Sequence, residues 1–262
     1  MSTGINLSFS DDGSGSPLLL IHGFPHNRTL WSEQVAAFSL EFRCITPDLR
    51  GFGESEQRPP YSVEQYADDL AALLAHLGVG RAIVGGLSMG GYTALAMWRR
   101  HASLIAALML FDTRAEADTP EGREKRGELI AVARQRGSRA VADSQIEGQL
   151  GRTTRAESPS TVRRIHEMLA SAPVEGVVGA LGAMRDRPDS IPLLATIDVP
   201  TLIVVGDEDV LTPVKDSQRM HDGIRGSALD VIERAGHLSN VERPTEFNRA
   251  MREFLSPLKD RV

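Results

Sequence analysis

Ile83-Val84-Gly85-Gly86-Leu87-Ser88-Met89-Gly90-Gly91 sets a serine between glycines two residues before it and two after it. The apolar run Ala82 to Val84 reads as a buried strand, and Tyr92 to Arg100 has helical spacing. A strand that passes directly into a helix must reverse sharply at Ser88, which forces that residue into a strained backbone conformation. Gly86 and Gly90 leave room for the crossing backbones, since a Cβ at either position would clash. This is the G-x-S-x-G pattern of a nucleophile elbow. It stands the serine hydroxyl above the sheet, at a helix N-terminus whose N–H groups favour developing negative charge.

A serine hydroxyl is a poor nucleophile until a base removes its proton, and the base needs an acid to orient it. Of seven histidines, His237 is the candidate base. It follows a predicted strand, in Ala235-Gly236-His237-Leu238-Ser239, where a loop leaves the carboxyl edge of the sheet. His22 lies beside a glycine after another strand, and His26 sits in the same loop, placed to line a pocket. His76, His101, His166 and His221 fall on predicted helices among charged neighbours, where packing or surface roles suit them. For the acid, Asp207, Glu208 and Asp209 crowd one loop after a buried strand, and Asp112 ends the strand before it. The order serine, acid, histidine is met by Ser88, Asp209 and His237.

Working outward, Ile5 to Phe9 alternates as a half-exposed strand does, and Asp11 to Gly15 is turn chemistry. Leu18 to Ile21 and Arg43 to Thr46 read as buried strands, with a short helix at Trp31 to Leu40 between them. Asp48 to Ser55 is a glycine-rich loop. Ser62 and Gln65 form a capping box ahead of an amphipathic helix, Val63 to Leu77, which Gly78 ends. After the elbow comes a strand at Ala106 to Phe111. Strands and helices alternate, and several strands are apolar throughout, so a parallel sheet covered on both faces is expected.

The stretch 114–195 breaks this rhythm. It is rich in charge and alanine, with helical spacing in Pro120–Gln135, Arg139–Leu150, Ser160–Ala170 and Val174–Met184 and no convincing strand. It reads as an all-helical cap inserted into a core formed by 1–113 and 196–262. Alternation resumes with a strand at Thr201–Val205, a helix at Val214–Met220, a strand at Ala228–Ile232 and a last helix from about Pro244.

Composition narrows the function. The chain has 262 residues, 41% of them apolar and 24% charged, enough for one large core. A net charge of −6 without a long basic run argues against nucleic acid. Cys44 is the lone cysteine, so a disulfide framework is excluded and a buried, inert thiol is expected. The first apolar run is too short for a signal peptide or a membrane span, which points to the cytoplasm. The loop Asp48 to Gly53 lacks a phosphate-binding pattern, and no cysteine–histidine cluster or carboxylate cage suggests a metal, so neither cofactor nor metal is expected.

The whole chain resembles the α/β-hydrolases. His22–Pro25, Asp48–Ser55, Gly86–Gly90, Gly206–Asp209 and Gly236–His237 match that family's motifs in their order. The resemblance implies an α/β fold with a mostly parallel sheet, flanking helices and a helical cap. It makes Asp209, rather than Asp207, the triad acid, and the Phe24 and Met89 N–H groups the oxyanion hole. Gly86–Gly91, Met168–Arg187 and His237–Glu242 look like the 3-oxoadipate enol-lactonase and carboxylesterase branch. The implied activity is cofactor-free hydrolysis of a small ester or lactone by a cytoplasmic monomer or homodimer. The enol-lactonase proper is one alternative, a perhydrolase sharing the same triad is another, and a slow-turnover ligand sensor on the same fold is a third. Serine at position 88 argues against epoxide hydrolases and haloalkane dehalogenases, whose resemblance demands aspartate there. Arg185 and Arg187 are candidates to meet a substrate carboxylate, against the plainer reading of surface ion pairs. With no aromatic residue between Asp112 and Leu193, an aliphatic pocket of Leu, Met and Val is expected.

Overall fold

The structure, a computed structural model, describes residues 6–259. Seven strands form one sheet: β1 (Phe9–Asp12), β2 (Pro17–Ile21), β3 (Arg43–Pro47), β4 (Ala82–Leu87), β5 (Ile105–Phe111), β6 (Thr201–Gly206) and β7 (Ala228–Ile232), in the order β1-β3-β2-β4-β5-β6-β7. β1 runs antiparallel to β3 and every other pairing is parallel. The fold is therefore of the α/β hydrolase kind read from the motifs. The central strands β4 and β6 are buried along their whole length, as continuous apolar runs in a sheet covered on both faces should be.

Eleven helices are described: α1 (Ser32–Phe38), α2 (Val63–His76), α3 (Met89–His101), α4 (Pro120–Gln149), α5 (Arg152–Glu157), α6 (Pro159–Ala170), α7 (Val174–Asp186), α8 (Ile191–Leu194), α9 (Val214–Gly223), α10 (Ser239–Glu242) and α11 (Pro244–Leu255). One apolar cluster joins residues of α2 and α3 with residues of the sheet and extends to α7. A second packs α1, α6 and α11, with Trp31, Phe111 and Phe247 in mutual ring contact.

The first strand differs from its expectation. Ile5 lies outside the described residues, 6–8 are not strand, and the pairing instead runs through Asp11 and Asp12, opposite Ile45 and Cys44. On a sheet edge an aspartate can point to solvent, and Asp11 meets the guanidinium of Arg43 at 2.7 Å. The turn is confined to Gly13–Ser16. At α2, Ser62 caps the Gln65 N–H at 3.0 Å, but the Gln65 side chain reaches forward to Asp69 at 3.1 Å rather than back to Ser62. The box is half formed: the Gln65 amide donates to the Asp69 carboxylate instead of turning its oxygen back to the Ser62 N–H.

Between β5 and β6 the described elements are all helical. The two helices expected at Pro120–Gln135 and Arg139–Leu150 run together as α4, broken at Gly137, whose φ of 78° and ψ of 176° are not helical. The short helices α5, α8 and α10 had no periodic signal of their own.

Candidate active site

Ser88 stands between β4 and α3 with φ 54° and ψ −113°, the strained corner expected of it. A Cβ on Gly86 would lie 2.2 Å from the Gly90 carbonyl oxygen, and one on Gly90 2.2 Å from that of Ile21. Both are far inside contact distance, so the elbow exists only with glycine at these two positions. The Ser88 N–H donates to the Phe111 carbonyl at 2.9 Å, and the Thr113 hydroxyl donates to the Ser88 carbonyl at 2.8 Å. The corner is thus held by the end of β5 on both its backbone polar groups.

Three loops from the carboxyl ends of β4, β6 and β7 converge here. His237 Nε2 lies 2.8 Å from Ser88 Oγ, and His237 Nδ1 lies 2.8 Å from Asp209 Oδ2. The imidazole is buried, with 2% of its surface exposed. Asp209 Oδ1 accepts the Leu211 and Thr212 N–H groups, and Oδ2 accepts the Thr212 hydroxyl at 2.6 Å. Burial by itself raises the Asp209 carboxyl, but the His237 ring and the Thr212 donors outweigh it and hold the group below its ordinary value. Asp207 is exposed on the same loop. Thr212 was missed in the sequence; its signal, a hydroxyl three residues after an aspartate, is shared by many simple turns.

Asp112 does not reach the imidazole. Its carboxylate accepts the Gly206 N–H at 2.9 Å and the Ser239 hydroxyl at 2.5 Å. His22 also has both nitrogens engaged: Nδ1–H donates to the Gly23 carbonyl at 2.8 Å and Nε2 accepts the Leu49 N–H at 2.9 Å. That pair of partners places its proton on Nδ1. The Gly23 carbonyl is thereby turned toward His22 and toward the His26 N–H. Since the Gly23–Phe24 peptide is trans, the Phe24 N–H faces the opposite way. Met89 opens α3, where an amide has no partner four residues earlier. His26 is buried with neither ring nitrogen hydrogen-bonded. Burial, and then the neighbouring His22 and His237, push it down to about 3.

A cavity of about 590 Å³ opens at Ser88, His237, Thr212 and Phe24. Leu129, Val132, Met184 and Leu211 supply the aliphatic lining expected. The lining is nevertheless not purely aliphatic. Phe24 and Tyr92 of the core contribute aromatic surface, and Arg114, Asp118, Lys125, Arg126 and Glu128 contribute charge. Arg185 pairs with its neighbour Asp186 on the surface. Arg187 is neither a surface pair nor among the cavity residues. It is buried, bonded to Asp118 and to the Met184 and Glu116 carbonyls, with its guanidinium 4.1 Å from the Tyr92 ring centroid. Of the helical histidines, His76 is exposed, while His101 bonds Asp68, His166 bonds Asp143 and His221 bonds Ser227. Cys44 is buried, and that burial pushes its thiol up to about 12. Among the described residues no group of three or more His, Cys, Asp or Glu could hold a metal ion, and no helix is long and apolar enough to cross a membrane.

Residues 16–244 match the family model of the alpha/beta hydrolase fold. The chain is 30% identical over 235 residues to the 3-oxoadipate enol-lactonase 2 of Acinetobacter baylyi, covering 89% of this chain and 86% of that one. Among solved structures, a thermophilic esterase from Thermogutta terrifontis in its malate-bound form is 42% identical with a TM-score of 0.95, over 99% of this chain and 96% of that one. The enol-lactonase of Burkholderia xenovorans is 30% identical with a TM-score of 0.89, over 97% and 98%.

Proposed function

The chain belongs to the α/β-hydrolase family, and from that membership we propose that it is a serine hydrolase that cleaves carboxylic esters or lactones through an acyl-enzyme on Ser88. The observation that carries this reading is the unbroken line Ser88 Oγ, His237, Asp209, with both contacts at 2.8 Å. In this reading His237 Nε2 takes the hydroxyl proton as Ser88 Oγ attacks the carbonyl carbon. Asp209 fixes the tautomer with the proton on Nδ1 and stabilises the imidazolium. The Phe24 and Met89 N–H groups receive the oxyanion, each contributing on the order of 10²–10³ in rate. His237 then protonates the leaving alkoxide and activates the water that releases the acyl group. When the acyl C–O bond breaks, the leaving oxygen departs as a separate alcohol from an ester and stays tethered to the acyl group in a lactone, so the same steps serve both.

The narrower reading, a 3-oxoadipate enol-lactonase, draws support from the names of the relatives and from Lys125. That residue lines the cavity, is exposed and makes no ion pair among the described residues. Arg114 and Arg126 are already paired with Asp216 and Asp118. Lys125, not Arg185 or Arg187, is then the group that meets a substrate carboxylate. The proposal includes 114–195 acting as the cap over a core of 1–113 and 196–262, in a cytoplasmic monomer or homodimer that uses no cofactor.

The test is a panel of p-nitrophenyl esters of increasing acyl length, neutral lactones and a carboxylated enol-lactone, assayed with the parent protein and Ser88→Ala. Rapid turnover that falls by about 10³-fold or more in the variant is expected. A folded Ser88→Ala protein of undiminished activity overturns the reading. Turnover of at most a few cycles in the parent favours a ligand sensor.

A further inference from the structure

Among the described residues, three non-glycine residues have positive φ: Ser88, Asp112 and Arg234. Such conformations cost about 1–3 kcal/mol each and persist where the surroundings over-determine them. Ser88 is the elbow, and Arg234 enters the loop that carries His237. Asp112, at φ 43°, directly follows β5 and lies on none of the three loops that bring the proposed catalytic groups together.

Its contacts and those of its two chain neighbours nevertheless reach all three. The Phe111 carbonyl just before it accepts the Ser88 N–H, and the Thr113 hydroxyl just after it donates to the Ser88 carbonyl. Asp112 Oδ1 accepts the N–H of Gly206, three residues before Asp209, at 2.9 Å. Oδ2 accepts the hydroxyl of Ser239, two residues after His237, at 2.5 Å. Its own N–H donates to Val204 at 2.8 Å. The residue is wholly buried, so these bonds are not diluted by water.

We infer that Asp112 is a positioning residue: its carboxyl group ties the Asp209 loop to the His237 loop and so keeps the acid and the imidazole at bonding distance. This rests on the reading of Ser88, Asp209 and His237 as the catalytic set. Both carboxyl oxygens are occupied, so Asp112 acts through its neighbours and touches no reacting atom. Burial, and then the charge of Asp209, push its carboxyl well above the ordinary range. Asparagine can keep both ties, since its Oδ1 can accept the Gly206 N–H while its amide N–H bonds Ser239 Oγ with donor and acceptor exchanged. Alanine reproduces neither bond.

The experiment compares the parent protein with Asp112→Asn, Asp112→Ala and Ser239→Ala. It reads kcat and KM on a p-nitrophenyl ester, and the downfield NMR resonance of the His237 Nδ1 proton shared with Asp209. Asp112→Ala is expected to lower kcat about 10–100-fold with KM within about threefold, and to lose the downfield proton, because a misplacement of an ångström has that effect on a preorganised site. Asp112→Asn is expected to keep both near the parent. If Asp112→Ala does not fold, Ser239→Ala, which removes one of the two ties, still carries the test with a smaller fall in kcat and a shifted proton. The inference is overturned if the folded alanine variants keep parental kcat and the downfield proton, or if asparagine is no better than alanine. The proton resonance is also read in Ser88→Ala, with and without Asp112→Ala. The tie is thereby tested even if Ser88 fails as the nucleophile, and the two failures separate.

Discussion

Asp209 and Thr212 close on each other within a single turn: the Thr212 N–H reaches Oδ1 at 2.9 Å and its hydroxyl reaches Oδ2 at 2.6 Å, the same oxygen that faces His237. The turn that carries the aspartate therefore aims it without help from the imidazole. Asp209→Asn is expected to lower kcat by about 10⁴-fold, because an amide presents the wrong group to Nδ1 or the wrong tautomer to Ser88. Asp207→Asn, altering an exposed side chain, is expected to leave kcat within about twofold. Steady-state kinetics of the two variants check this, and the opposite ranking would transfer the acid role to Asp207.

Gly90→Ala is expected to cost at least about 3 kcal/mol of stability or to prevent folding, since its Cβ would meet the Ile21 carbonyl oxygen at 2.2 Å. Gly182→Ala is the control. It lies inside α7 with nothing within 4 Å of the added carbon, and a gain of about 0.5–1 kcal/mol is expected. Urea denaturation of both variants measures the difference.

Arg187→Ala leaves Asp118 with Arg126 alone and removes the contact with the Tyr92 ring. Because Arg126 still compensates Asp118, the loss is expected to fall below the roughly 3–5 kcal/mol of a fully orphaned buried charge, at about 1–3 kcal/mol. Arg185→Ala, an exposed neighbour pair with Asp186, is expected to stay within about 0.5 kcal/mol of the parent. Tyr92 and Asp118 both line the cavity, so KM is expected to rise in Arg187→Ala. Denaturation and kinetics together check both parts.

His26 predicts an acid-side instability. Its folded value, about 3, lies below the unfolded 6.5, so between these values the unfolded chain binds the extra proton. Stability from this group is fully present above about pH 6.5 and is lost as pH falls toward 3. By pH 4.5 the loss is on the order of 2–3 kcal/mol. His26→Leu is expected to flatten the slope of stability against pH over that window, as followed by denaturation at stepped pH. An unchanged slope would show that the imidazole is solvated or hydrogen-bonded after all.

Most of the strand and helix order was legible from periodicity, because a sheet covered on both faces demands long apolar runs and its helices demand an apolar stripe. Ser88 was legible because its geometry is local: the serine and the two glycines that make room for it lie within five residues. His237 and Asp209 were legible as loop residues in a family order, but their meeting was not, since 28 residues separate them from each other and 149 separate His237 from Ser88. Arg187, read as a surface residue or a ligand for substrate, turned out buried beneath the cavity, because its partners Asp118 and Glu116 lie some seventy positions earlier.

The sequence by itself determined the backbone corner at Ser88 and the alternation of buried strands with amphipathic helices, since both depend on residues within a turn or two of one another. Only the tertiary structure decided that Asp112 bonds two loops rather than the imidazole, that His22 is fully occupied, and that charged side chains share the cavity with aliphatic ones. Each of those outcomes depends on which distant groups are brought to hydrogen-bonding distance when the sheet closes, and that distance is set by packing rather than by spacing along the chain.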